Sequence, residues 1–262
     1  YSPSAFLWLP SLILKLVCKA PLYLIVRDIF PDWLISIKVI NNVFIRYILK
    51  FLTLPQFYIP NKIGAQSKSD CKYLIKKTGG NDIDYLPNWP SLIKTKNKSL
   101  DRNKLSIKFN NHIRNKKKLN HIFGVYSGNT SIAHDYKTSM DFLIEFSKSV
   151  FISKTFEINL FGVDKYSYTS SFKNKKFNYN QWGYIEPNYL PYIFSKSNFG
   201  LVSLNRLHLT NNIPGKFVSY TQFGLPILCF CSKNSDLARL INHFNCGVVI
   251  DLDDRNKSNF KK

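Results

Sequence analysis

The chain has 262 residues, 45% of them hydrophobic, with 21 Phe and 15 Tyr. That is ample for real cores and makes this a globular protein of one large domain or two modest ones, at ~150 residues per domain. Its formal net charge of +21 restricts the partners to anions: nucleic acid, an anionic membrane face, or anionic small substrates.

Residues 5–26 are apolar enough to resemble a signal peptide or a membrane span, but Pro10, Lys15, Lys19 and Pro21 interrupt them. No basic leader precedes them and no small-residue cleavage site follows, so neither is expected. Residues 7–17 are predicted to form a short helix and residues 22–26 a strand that runs into Arg27-Asp28-Ile29-Phe30-Pro31-Asp32. Residues 42–54 repeat apolar side chains at helical spacing, with Arg46 and Lys50 on one side. A brief strand at 63–66, a helix at 69–77 stopped by Gly79-Gly80, and a strand at 83–86 follow. Pro87-Asn88-Trp89-Pro90 then breaks the chain.

Much of the positive excess lies between Lys94 and Lys118, in a polar, Asn-rich stretch that reads as a solvated linker. The abundance of Asn, Lys and Ile also points to a compositional bias of the whole coding sequence, which lowers the weight of any inference from charge. The expected organisation is therefore a first domain over 1–92, a basic linker over 93–119 and a second domain over 120–262.

In the second domain, strands are predicted at 121–126, 156–161, 182–185, 199–204, 226–230 and 247–250, and helices at 136–149, 188–195, 214–223 and 235–244. Lys173 to Lys176 reads as a surface loop. Short, fully apolar strands separated by helices imply a parallel sheet buried on both faces. Such doubly wound sheets bind ligands beyond the carboxyl ends of their strands. The residues there are Ser127-Gly128-Asn129-Thr130, Gly162-Val163-Asp164, Glu186, Asn205-Arg206-Leu207-His208 and Asp251. Small and polar groups thus gather at one edge, as a sugar-nucleotide or dinucleotide site requires.

The stretch from Asn212 to Tyr220 is expected to begin a helix at that edge. Pro214 suits the first turn, Asn211 or Asn212 can cap it, and Gly224 can end it. Free amides followed at once by Lys216 make an anion site, a phosphate being the natural anion. An ordinary αβ turn with a solvated lysine reads the same way, and these residues alone leave both open. Five scattered cysteines show no zinc-binding spacing. Reduced, buried thiols are expected, with Cys229-Phe230-Cys231 alternating faces along a strand.

With these residues in place, the chain resembles the family-4 glycosyltransferases, an α/β family of GT-B type with two Rossmann-like domains of parallel sheets. It is most similar to the bacterial branch that transfers amino sugars in surface-polysaccharide synthesis. The carriers in the first part are Tyr1-Ser2-Pro3-Ser4, Arg27 to Asp32, Gln66-Ser67 and Asn88-Trp89. In the second they are Tyr126 to Asn129, Phe199 to Arg206, and above all Asn212-Ile213-Pro214-Gly215-Lys216 through Tyr220, with Gly224 and Pro226.

The resemblance implies retention of configuration and a carboxyl-terminal domain that grips a nucleoside-diphosphate sugar, UDP-linked by expectation. The amino-terminal domain presents a lipid-diphosphate-linked or saccharide acceptor. Arg206 and Lys216 would stabilise the charge on the departing β-phosphate, and Asp28, ahead of Asp32, would orient or deprotonate the acceptor hydroxyl. The implied donor-binding set is Gly128, Asn129, Tyr184, Ile185, Arg206, His208, Asn211, Asn212, Pro214, Gly215, Lys216, Ser219 and Tyr220. No metal and no cofactor beyond the nucleotide sugar are implied. The implied setting is the cytoplasm, with a peripheral place on the anionic inner face of the membrane, and no nucleic-acid partner.

Two departures stand against this. Asn211 and Ser219 occupy positions where many members carry glutamates, the second of which holds the donor ribose. The chain also lacks βα units expected before Tyr1 and a final helix expected after Asp251, so the amino domain is expected to be incomplete, with an uncovered sheet edge. A truncated, non-catalytic remnant that binds nucleotide sugar, and a basic nucleic-acid-binding protein, are the competing readings.

Overall fold

The two predicted periodicities separate cleanly in a computed structural model, which describes residues 5–80, 82–90, 104–117, 121–149, 155–162, 177–208 and 213–251. The chain divides into two compact units. The first comprises Tyr1–Trp89, Leu207–Ile213 and Asn234–Leu240, and the second Pro90–Arg206, Pro214–Lys233 and Ile241–Lys262.

In the first unit, α1 (Trp8–Cys18) leads into β1 (Tyr23–Val26), followed by α2 (Asp32–Ser36), α3 (Val43–Thr53), β2 (Lys62–Ala65), α4 (Lys68–Thr78) and β3 (Ile83–Tyr85). The strands form a parallel sheet of order β1-β2-β3, with Val26 opposite Ala65 and Ala65 opposite Tyr85. Val26, Ile29, Phe57, Ile63, Ala65 and Leu74 form its core. Side chains cap both long helices that follow a strand: the Asn42 side chain accepts from the amides of Phe44 and Ile45, and that of Ser67 from Asp70. Gly79, at φ +76°, closes α4 in the left-handed conformation that glycine adopts without a steric penalty.

The second unit contains α5 (Lys104–Lys117), β4 (Ile122–Ser127), α6 (Tyr136–Ser149), β5 (Phe156–Phe161), β6 (Phe177–Gly183), α7 (Leu190–Lys196), β7 (Phe199–Ser203), α8 (Gly215–Gln222), β8 (Ile227–Phe230) and β9 (Gly247–Ile250), while α9 (Asp236–His243) belongs through Leu240 to the first unit. Its strands are all parallel, in the order β6-β5-β4-β7-β8-β9. From the central β4 the chain winds outward through β5 and β6, then crosses back to β7 and winds the other way. The order therefore reverses between β4 and β7. Burial explains the strand type: every residue of β5 is buried, as a sheet covered on both faces demands. On α6, Tyr136, Met140, Leu143, Ile144 and Ser147 recur at helical spacing and are all buried against this sheet.

Several expectations need correction. Within the segment expected to be a solvated linker, residues 104–117 form α5, which buries Phe109 and Ile113. His112 Nε2 lies 2.6 Å from an Oε1 of Glu157, a residue with no exposed surface. A helix that carries a few apolar residues among lysines covers the polar side of β5. The third strand of this domain is not 182–185 but β6, which ends at Gly183. Its Asn-rich sequence is half-buried because it is an edge strand paired only with β5. Cys229 and Cys231, two residues apart, share a face as strand alternation requires, and both are buried with their Sγ atoms 3.4 Å apart. The stretches Tyr1 to Ser4 and Lys173 to Lys176 lie outside the described residues.

Candidate functional site

The point where strand order reverses is where a doubly wound sheet opens a crevice for ligands, and the residues at the ends of β4 and β7 build it. Tyr126, the fifth residue of β4, is fully buried, and its hydroxyl donates to the Asn129 carbonyl at 2.7 Å. That bond folds Ser127-Gly128-Asn129 back over the strand end. Gly128 has φ +103°, and a Cβ there would meet nothing within 4 Å. A neighbouring strand end is equally bare: Gly162, at φ +76°, lies so close that a Cβ on it would sit 3.3 Å from Gly128 Cα. The edge is thus a backbone shelf free of side chains, as close approach by a ligand requires.

On the other side of the crevice, α8 begins at Gly215. Pro214 is its N-cap in an extended conformation (φ −62°, ψ 139°), and no side chain caps the helix. This corrects the expectation that Pro214 sits in the first turn. The proposed caps Asn211 and Asn212 lie outside the described residues. Uncapped amides at a helix start carry the positive end of its dipole. Lys216, the second helical residue, lays its ammonium 3.7 Å from the centre of the Tyr126 ring and 3.5 Å from the Asn129 carbonyl oxygen. Burial pulls its pKa down to about 7, because no carboxylate offsets the lost hydration.

A second element fixes α8 to β4. Tyr220, one turn beyond Lys216, is completely buried. Its hydroxyl accepts from the Ser127 amide at 2.9 Å, lies 3.2 Å from Ser127 Oγ and donates to the Val125 carbonyl at 3.3 Å. Its ring crosses β7 at Gly200, where a Cβ would fall 2.3 Å from the ring. Gly200 is therefore glycine because Tyr220 needs the space. The structure places Tyr220 as the residue that positions the strand end, with its hydroxyl already engaged. Ser219 bonds its hydroxyl to the Gly215 carbonyl within the helix, at 3.0 Å.

Arg206 follows β7 by three residues and is exposed. The loop before it is held by the Asn205 amide on the Ala133 carbonyl (2.9 Å) and the Asn205 side chain on the Ile132 carbonyl (3.1 Å). Past β6, Tyr184 is 77% exposed and Ile185 is buried. Of the expected donor-binding residues, Lys216 and Asn129 come into contact with each other, while Gly128, Pro214 and Gly215 flank them in the chain.

The acceptor-side candidates sit in the first unit. Burial raises the Asp28 carboxyl pKa, against the opposing pull of His208 and Arg27. The His208 ring stacks on Trp33 at 6.2 Å and 15°. His208 is therefore an Asp28 neighbour rather than a solvated loop histidine. Asp32, read from sequence as second to Asp28, accepts from Tyr73 Oη at 2.8 Å and pairs with Lys77 at 2.7 Å. Sequence reasoning missed the structural importance of Tyr126, Gly200 and Trp33. The Tyr126-Ser127-Gly128 run at a strand end was the available signal for the first. No group of histidine, cysteine and carboxylate side chains arranged to hold a metal occurs among the described residues.

No family model matches the sequence, and no curated protein matches it. Solved structures do share the fold. WaaG, a glycosyltransferase involved in lipopolysaccharide biosynthesis, is 12% identical with a TM-score of 0.55, covering 87% of this chain and 60% of its own. The trehalose-6-phosphate synthase OtsA is 12% identical with a TM-score of 0.59, covering 92% and 59%. The UDP-forming trehalose-phosphate synthase from Burkholderia xenovorans, in complex with glucose-6-phosphate, is 11% identical with a TM-score of 0.55, covering 90% and 58%. The fold is of GT-B type, and the chain spans somewhat over half the length of these structures.

Proposed function

We propose that this protein serves as a retaining glycosyltransferase of family 4, which moves an amino or deoxy-amino sugar from a nucleoside-diphosphate donor, UDP-linked, to a lipid-diphosphate-linked or saccharide acceptor. Its pathway is bacterial capsule, O-antigen or exopolysaccharide synthesis, at the inner face of the cytoplasmic membrane. One observation carries the reading: Lys216, at the uncapped start of α8, meets the Asn129 carbonyl across the point where strand order reverses. The naming of one solved structure of this fold as a glycosyltransferase and of another as a UDP-forming synthase supports it.

In this mechanism the bond between the sugar C1 and the β-phosphate oxygen breaks, and the acceptor oxygen bonds to C1 on the same face. The acceptor proton passes to the departing phosphate. Charge accumulates on that phosphate, so fixed cations and helix amides lower the barrier. Lys216, the α8 amides and Arg206 supply them. The Gly128 shelf admits the diphosphate, and Asn129 faces the donor. Asp28, held above the ordinary carboxylate range, orients the acceptor hydroxyl. Ribose recognition proceeds without a carboxylate at Ser219.

Titration calorimetry with uridine diphosphate tests the donor half. Lys216→Ala and Arg206→Ala are each expected to weaken binding roughly 10- to 150-fold, the worth of a charge-assisted contact, with urea midpoints little changed. Wild-type affinity in both variants removes the assignment. A transfer assay over a panel of nucleotide sugars and lipid-diphosphate acceptors separates the enzyme from a remnant, which would bind without turnover.

A further inference from the structure

The first unit has a cavity that the transfer reaction does not use. It measures about 560 Å³, within the range of small-molecule sites, roughly 300–1,000 Å³. Two helices line it in the same manner. Tyr47, Lys50 and Phe51 come from α3, and Tyr73, Lys76 and Lys77 from α4. Each helix thus offers aromatic surface beside ammonium groups.

The polar groups of the lining divide into a fixed set and an open one. Asp32 Oδ2 accepts from Tyr73 Oη at 2.8 Å and pairs with the Lys77 ammonium at 2.7 Å. That ammonium also lies 4.9 Å from the centre of the Phe57 ring and 5.6 Å from that of Tyr73. Asp32 Oδ1 takes part in none of these bonds, and it remains an open acceptor. Lys50 and Lys76 are exposed and have no carboxylate partner among the described residues. Two uncompensated ammonium groups at a cavity select an anion, and phosphate is one that lysine binds as a point charge.

The aromatic residues say what the phosphate is attached to. Tyr47 and Phe51 are 71% and 77% exposed, and Tyr73 is 43% exposed. A sugar would need partners for hydroxyls on several sides, whereas one open carboxylate oxygen suits a body that binds chiefly through its faces. Planar bases stack on such rings. Tyr47 and Phe51 lie about one helical turn apart, roughly 6 Å along the axis, which matches a fused two-ring base.

We propose that this cavity is a second nucleotide site, which takes a purine nucleoside monophosphate. The base stacks on Tyr47, Phe51 and Tyr73, an N–H of the base donates to Asp32 Oδ1, and Lys50 and Lys76 hold the phosphate. The site shares no residue with the donor site at α8, so each can fail without the other.

Titration calorimetry of the whole chain with adenosine monophosphate tests it, with adenosine and ribose 5-phosphate as the two halves of the ligand. Wild type is expected to bind the nucleotide saturably, and each half roughly tenfold more weakly or worse. Lys50→Gln/Lys76→Gln should weaken nucleotide binding roughly tenfold or more. Tyr47→Ser/Phe51→Ser should weaken it roughly 5- to 150-fold, the worth of one stacked base. All four side chains are exposed, so urea midpoints should hardly move. Lys216→Ala should keep the wild-type affinity for this nucleotide.

No binding of the nucleotide would overturn the proposal. Ribose 5-phosphate binding as tightly as the nucleotide would also do so, because it would mean a phosphate site without a base, as a lipid headgroup or a free phosphate would use. An affinity lost in Lys216→Ala but kept in Lys50→Gln/Lys76→Gln would put the nucleotide at α8 instead. An oligodeoxyadenylate that binds more tightly, and loses as much affinity in Lys108→Gln/Lys137→Gln at two exposed positions of the second unit, would mean nucleic acid held by overall charge and would overturn the cavity as well.

Discussion

Lys216 is the residue whose environment makes the sharpest demand. Its folded pKa of about 7 lies below the ordinary lysine value, so between the two the unfolded chain binds more protons than the folded one. Stability should therefore rise with pH across that window. A diphosphate beside the ammonium reverses the preference, so binding above pH 7 should take up as much as one proton, and affinity should decline as pH rises. Calorimetry in two buffers of different ionisation enthalpy measures the uptake, and Lys216→Met should abolish it. Tyr220 makes a second demand. Tyr220→Phe removes the partner of the buried Ser127 amide, and urea unfolding should register a loss of about 1–3 kcal/mol. Gly200→Ala, forced against the same ring, should cost about as much through overpacking. A variant of either kind with wild-type stability would mean that α8 is not tied to β4 in this way.

Among the elements, α5 shows how a polar helix earns its place. Its anchor is the pairing of His112 with Glu157, a carboxylate without exposed surface, together with Phe109 packed edge-on against Phe161 and Trp182. Truncating the histidine removes a 2.6 Å partner of a carboxyl group without exposed surface, and a lost hydrogen bond to a buried polar group is costly. His112→Ala is expected to destabilise the second unit by about 1–3 kcal/mol, read from denaturant midpoints. His112→Asn, which keeps a donor on the ring's site, should lose less. Periodicity alone does not reveal this helix, because its lysines and asparagines dominate the composition and only two turns carry apolar residues. β6 was displaced for a related reason. An edge strand with alternating asparagines lacks the continuous apolar run by which buried strands are recognised.

For the whole molecule, the charge of +21 is a statement about association rather than fold. No helix among the described residues is long and apolar enough to cross a membrane. Attraction between lysines and an anionic bilayer acts at its surface. Such attraction is screened over about 10 Å at 0.1 M salt. Anionic-vesicle binding should therefore weaken with salt but persist in part, where exposed apolar side chains such as Phe44 and Phe51 share the contact. Oligonucleotide binding, if it occurs at all, should vanish over the same titration. An equal and complete loss of both would make the attraction purely electrostatic and remove any special membrane affinity.

What the sequence by itself determined was the alternation of helices and short apolar strands, and with it a doubly wound sheet whose strand ends collect glycine, asparagine and lysine. Those features are local in the chain: β5 and α6 emerge at 156–161 and 136–149, as their burial periods predict. Only the tertiary structure decided what the residues do there. It turned Tyr220 from an expected ligand contact into a buried strut, engaged Asp32 with Lys77, and placed Lys216 on the Tyr126 ring. These outcomes depend on strands far apart in sequence becoming neighbours, and on desolvation, which a side chain acquires only when the packing around it is complete.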